Sequence, residues 1–110
     1  MEFEYSYRFT EKAVQDLDEI LRYISVELAN HIAAQKFGRK IFEKIDIIRT
    51  FPKLGAPVDN NFLFDKTLRK LPVDNYFIFY KVHYDERIVS IVRIIYGKRN
   101  IDEILKNNMM

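Results

Sequence analysis

Residues 68–99, LRKLPVDNYFIFYKVHYDERIVSIVRIIYGKR, decide the fold. Three runs rich in Val, Ile, Tyr and Phe are separated by turn residues. A short strand begins at Leu68, a turn follows at 72–75, and a long strand spans 76–84. A second turn lies at 85–87, before a last strand at 88–96. This is the pattern of an antiparallel meander. Basic residues gather on it. From Lys66 to Arg99 there are eight Lys or Arg and three Asp or Glu, a local balance of +5 in a chain of +2 overall.

Working outward, residues 2–9, EFEYSYRF, alternate strictly. Phe3, Tyr5, Tyr7 and Phe9 fall on one side and predict a strand with one buried face. Thr10 is placed to cap a helix over 11–28, with Glu11 in its first turn. Its apolar stripe is Val14, Leu17, Leu21, Ile24 and Leu28, and Asp16, Asp18, Glu19 and Arg22 lie mostly off it. Asn30 is placed to cap a second helix that ends near Thr50, before Pro52. Its stripe is Ala34, Phe37, Ile41, Ile45 and Ile48. So short a connection predicts an antiparallel helix hairpin.

Gly38 sits inside the second helix, where it costs roughly 1 kcal/mol against alanine. A close approach of the two helices there would offset that cost. Lys36, Arg39, Lys40 and Lys44 read as a solvated face. Residues 53–65 carry Gly, Pro and Asn without a period and read as a loop anchored by Phe62, Leu63 and Phe64. Asn100 can cap a short helix over 101–105.

One domain is expected over residues 1–110. The fold class is α+β, in the order β-α-α-β-β-β. An antiparallel meander sheet with an N-terminal strand carries a two-helix hairpin on one face, and a short C-terminal helix follows. The 76–84 strand is apolar on both faces, Ile78 and Val82 on one and Phe77 and Phe79 on the other. The hairpin covers one face. The other needs the 62–64 segment, the C-terminal helix or a partner protein.

There is no cysteine, which excludes disulfides and cysteine metal sites and fits a reducing cytoplasm. The N-terminus does not read as a signal peptide, and no apolar run has membrane-spanning length. No carboxylate cluster, metal-ligand spacing or glycine-rich phosphate loop occurs, so no cofactor or metal is expected. His83, on a strand, reads as a half-buried hydrogen-bonding residue and His31 as a surface one.

The chain resembles the RelE/ParE toxins of bacterial type II toxin–antitoxin systems, and within them the ParE-like, plasmid-stabilisation branch. The resemblance is carried in order by Tyr7-Arg8-Phe9-Thr10, Asp16-Leu17-Asp18-Glu19-Ile20, Arg22-Tyr23-Ile24, Phe51-Pro52-Lys53-Leu54-Gly55 and Leu68-Arg69-Lys70-Leu71-Pro72-Val73. It continues through residues 76–82, YFIFYKV, and 91–99, IVRIIYGKR. It implies the same fold and a cognate antitoxin that wraps the toxin with a helix and an extended segment, and a higher-order toxin–antitoxin oligomer is compatible with it.

The family's two activities diverge. RelE-like members cut mRNA on the ribosome, whereas ParE-like members inhibit DNA gyrase. The nuclease pattern places an Arg after the Tyr that opens the third strand, and here Phe77 stands there. Lys70 fills a basic position on the preceding strand, with Arg69 beside it, and Arg99 fills the one after Gly97-Lys98. The family's C-terminal Tyr or His has no counterpart in residues 107–110.

Metal-free RNA cleavage needs a proton acceptor, cations and a proton donor. As a nuclease, the chain would rely on Lys70, Tyr96 and Arg99, and tyrosine with its ordinary pKa near 10 is a poor base. The favoured expectation is a ParE-like toxin that binds a protein target, DNA gyrase. Its contacts would be Arg69, Lys70, Arg93, Lys98 and Arg99, and Phe77 and Phe79 would face the antitoxin. An ion pair across the sheet is the structural alternative for Arg93. The competing readings are a ribosome-dependent endoribonuclease, a decayed toxin that retains only antitoxin binding, and a small RNA-binding domain outside the family.

Overall fold

The computed structural model describes residues 4–58, 67–101 and 103–105. Strand β1 (Ser6–Phe9) leads into helix α1 (Glu11–Arg22), a π-helical turn (Tyr23–Glu27) and helix α2 (His31–Thr50). Strands β2 (Ala56–Pro57), β3 (Leu68–Val73), β4 (Tyr76–His83) and β5 (Ile88–Tyr96) follow. The sheet order is β1-β5-β4-β3-β2. β1 lies parallel to β5, and every other pair is antiparallel. The meander and the helix hairpin are as expected. The extra strand is β2, two residues inside the expected loop, paired as Ala56 with Lys70 and Pro57 with Arg69. Phe3 and the 62–64 segment lie outside the described residues.

The helix caps act as their chemistry requires. Thr10 Oγ1 accepts from the Ala13 N–H at 3.2 Å and donates to the Val92 carbonyl at 3.0 Å, so one side chain both starts α1 and ties it to β5. Asn30 Oδ1 accepts from the Ala33 N–H at 3.0 Å. On α2 the whole expected stripe of Ala34, Phe37, Ile41, Ile45 and Ile48 is buried. On the expected α1 stripe Leu17, Leu21 and Ile24 are half-buried, and none of the five positions is fully buried. Val14 and Leu28 are exposed, and Ala13, Leu17, Ile20, Leu21 and Ile24 pack on the core instead. Three of the five expected positions keep their place, and Ala13 and Ile20 take over from Val14 and Leu28 at the edge of the arc. The π-helical turn then widens the helix before Ala29 turns the chain at a left-handed φ of 48°.

Gly38 does not mark a tight crossing. A Cβ built there would lie 3.8 Å from Leu21 Cδ2, an ordinary contact. Gly38→Ala should therefore stabilise the protein by roughly 1 kcal/mol through helix propensity and reduced unfolded-state freedom. Urea denaturation checks this, and a lowered midpoint would show that the helices need the glycine.

The sheet is apolar on both faces, and the chain covers both itself. On the helix side Ile78, Tyr80, Val82, Val89, Ile91 and Ile94 pack with Phe37, Ile41, Ile45 and Ile48. On the other side Leu68, Phe79, Ile95 and Leu105 form a second buried cluster, with Val58, Phe77, Val92, Ile101 and Ile104 against it. A helical turn through 101 and 103–105, capped by Asn100 Oδ1 on the Glu103 N–H at 3.3 Å, carries three of these residues. The face expected to meet the antitoxin, at Phe77 and Phe79, is covered in this structure by the chain itself. Phe79 is completely buried and Phe77 partly so, and both belong to an interior layer.

A register shift at Phe79/Tyr80 pairs Phe79 with Arg93 and Tyr80 with Ile91, leaving Val92 as the extra residue of a bulge. Because of it, Ile91 and Ile94, three positions apart, both face the helix-side core.

Candidate functional site

The bulge re-aims Arg93. Its guanidinium meets the Asp16 carboxylate from α1 in a bidentate pair, Nε to Oδ2 at 2.7 Å and Nη2 to Oδ1 at 2.9 Å. The Ile94 N–H, freed from the ladder, also donates to Asp16 Oδ2, at 2.9 Å. The two side chains are 8% and 11% exposed, so this is an interior ion pair that ties α1 to β5. Arg93 Nη1 is buried without a hydrogen-bond partner among the described residues. Arg93 is thus structural, paired with a helix acid rather than across the sheet as expected, and offers no cationic surface. Sequence reasoning placed Asp16 among residues mostly off the apolar stripe. The only signal for the pair was an acid on a helix and an arginine on a strand.

Arg69 is also committed. Its Nη1 donates to the Gly55 carbonyl at 2.6 Å and to the Lys53 carbonyl at 3.2 Å. The hydroxyl of buried Tyr80 works on the same loop, donating to the Pro52 carbonyl and accepting from the Gly55 N–H, both at 2.8 Å. Burial raises the Tyr80 pKa, which keeps this hydroxyl protonated and able to donate. A Cβ on Gly55 would lie 2.5 Å from the Tyr80 hydroxyl and 2.8 Å from the Lys70 carbonyl, so only glycine fits.

The nuclease candidates separate. Tyr96 stacks edge-on against Tyr76, its partner across the ladder, with ring centres 5.4 Å apart. Both rings line a cleft of about 350 Å³ with Asp16, Glu19, Ile20, Tyr23, Ile94 and Arg99. Burial, with smaller contributions from Tyr23 and Tyr96, raises the Tyr76 pKa. Lys70 is not in this cleft. It pairs with Phe79, and its ammonium lies 5.1 Å from the centre of the Phe77 ring, on the other side of the sheet. Lys98 and Arg99 are exposed.

Of the two histidines, His83 is half-buried and bonded to Ser90 Oγ at 3.0 Å, and His31 is exposed, with Nδ1 2.5 Å from Ser25 Oγ. Among the described residues no group of three or more His, Cys, Asp or Glu side chains could hold a metal. No helix among them is long and apolar enough to cross a membrane.

Residues 7–101 match the family model of the ParE toxin of type II toxin–antitoxin systems, parDE. The chain belongs to this ParE toxin family. Solved structures share the ParE-family fold. One is a chain of the chromosomal ParDE system of Pseudomonas aeruginosa, at 23% identity and a TM-score of 0.67, covering 86% of this chain and 98% of that one. Another, in a RelBE toxin–antitoxin complex from Mycobacterium tuberculosis, has 17% identity and a TM-score of 0.58, covering 84% and 98%. A third, in the archaeal RelE–RelB complex from Pyrococcus horikoshii, has 17% identity and a TM-score of 0.56, covering 87% and 98%. No curated protein sequence matches this ParE-family chain.

Proposed function

We propose that this protein is the toxin of a type II toxin–antitoxin module. It inhibits growth by binding a protein target, DNA gyrase, and a cognate antitoxin neutralises it. The observation that carries the target-binding part is the state of the second sheet face. Phe77 stands where the nuclease pattern has an arginine, and it is packed against Phe79 at 6.3 Å between ring centres. Lys70 lies over it, on the face away from Tyr96. Tyr96 and Arg99 alone do not bring together the acid, base and cations that phosphodiester cleavage needs. The antitoxin reading is supported by the family and by the solved relatives, all from toxin–antitoxin systems. Lys98 and Arg99 remain as exposed contact residues, with Lys70 half-exposed beside Phe77.

The test is a gyrase supercoiling assay run beside a ribosome-dependent mRNA cleavage assay with the same protein. The expected result is inhibited supercoiling and intact mRNA, with inhibition weakened by Arg99→Glu. Codon-specific cuts on purified ribosomes, lost in Arg99→Ala, would establish the endoribonuclease reading instead.

A further inference from the structure

The loop over residues 51–55 is held at nearly every backbone group and yet presents apolar side chains to solvent. The Phe51 N–H donates to the Ile47 carbonyl at 2.8 Å, and the Leu54 N–H to the Phe51 carbonyl at 3.0 Å. Tyr80 grips Pro52 and Gly55, and Arg69 grips Lys53 and Gly55. On this fixed turn Phe51 is 62% and Leu54 54% exposed. Tyr84, 47% exposed, lies alongside with the Lys53 ammonium 5.8 Å from its ring centre.

Two large apolar side chains held outward by a buried tyrosine and an arginine contribute little to the core. They are what a binding contact requires. The side chains are apolar anchors, and their backbone has little freedom left to lose on association. Residues 51–58 contain one lysine and no acid, and the half-exposed Arg69 adds a second cation, so the flank is positive.

We propose that this turn is a contact element for the toxin's protein target. Phe51 and Leu54 enter an apolar pocket on that target, and Lys53 meets an acidic rim. Arg69 and Tyr80 are positioning residues. The proposal rests on the target-binding function above. A convex, rigid turn suits a pocket on a folded partner, whereas an extended or helical antitoxin segment docks on a strand edge or in a groove.

The experiment compares the full-length wild type with the Phe51→Ser/Leu54→Ser double variant and with Lys53→Glu. Growth arrest on induction, supercoiling inhibition, thermal midpoint and affinity for the co-expressed antitoxin are measured. Both variants should fold with near wild-type midpoints, since the altered side chains are exposed. The double variant should need about tenfold or more protein for the same inhibition, Lys53→Glu several-fold more, and both should keep antitoxin affinity.

Unchanged inhibition by a folded variant overturns the proposal. So does a loss of antitoxin affinity with inhibition intact, which would make the antitoxin the occupant. A wild type that arrests growth without touching supercoiling removes gyrase as the target. Growth arrest then reads the turn's role alone. A wild type that does neither overturns both readings.

Discussion

Asp16→Ala will destabilise this protein by about 3–5 kcal/mol, a large share of the roughly 5–15 kcal/mol that holds a domain together. The substitution removes one exposed-looking acid from a helix, but it strands the Arg93 guanidinium inside the protein without its counter-charge. It also leaves the Ile94 N–H without an acceptor. Most of the loss comes from the orphaned cation rather than from the attraction of the pair. The double replacement Asp16→Leu/Arg93→Met should therefore recover much of the stability, because an apolar pair of similar volume needs no counter-charge. Urea unfolding of the two single variants and the double one measures this. A loss below about 1 kcal/mol in Asp16→Ala would mean that water reaches Arg93 and that the pair is a surface interaction.

Phe79→Asp will abolish folding rather than selectively weaken a partner interface. Phe79 has no exposed surface and packs with Leu68, Ile95 and Leu105. Removing a buried phenyl ring costs about 3–5 kcal/mol, and a carboxylate in its place is desolvated among Leu68, Ile95 and Leu105. Circular dichroism and the thermal midpoint decide the matter. A cooperatively folded Phe79→Asp protein that has lost only antitoxin affinity would show that the 101–105 turn leaves this face and that the antitoxin takes its place.

The secondary structure was largely legible because its signals are local. The α2 stripe, the Thr10 and Asn30 caps and the meander depend on residues within a few positions of each other, and each stands where periodicity placed it. Features that depend on distant partners were less visible. β2 is two residues long and exists only because β3 offers it an edge. Val14 fits the helical period as well as Ala13 does, and the direction of the sheet decides between them. At the candidate site, Lys98 and Arg99 were readable as surface cations from their place in a turn. Arg69 was not readable as structural, and for Arg93 an ion pair was readable but not its partner, since the partners lie 14 and 16 residues away in one case and 77 in the other. The second apolar face was legible, but not its cover, because a five-residue C-terminal segment gives too little pattern to show where it docks.

The pairing of β1 with β5 alone among the strands bears on biosynthesis. The first strand leaves the ribosome early and has no place in a sheet until residues 88–96 have followed it. α1 waits with it, because its anchors, the Val92 carbonyl, Arg93 and the Ile94 N–H, belong to the same late strand. At a translation rate of about 5–20 residues per second, the N-terminal third stays undocked for several seconds in every cycle of synthesis. Such long-range closure is slow compared with local helix formation. A nascent chain therefore cannot fix the 51–55 turn before Tyr80 has been made, nor finish the sheet before residues 88–96 have followed.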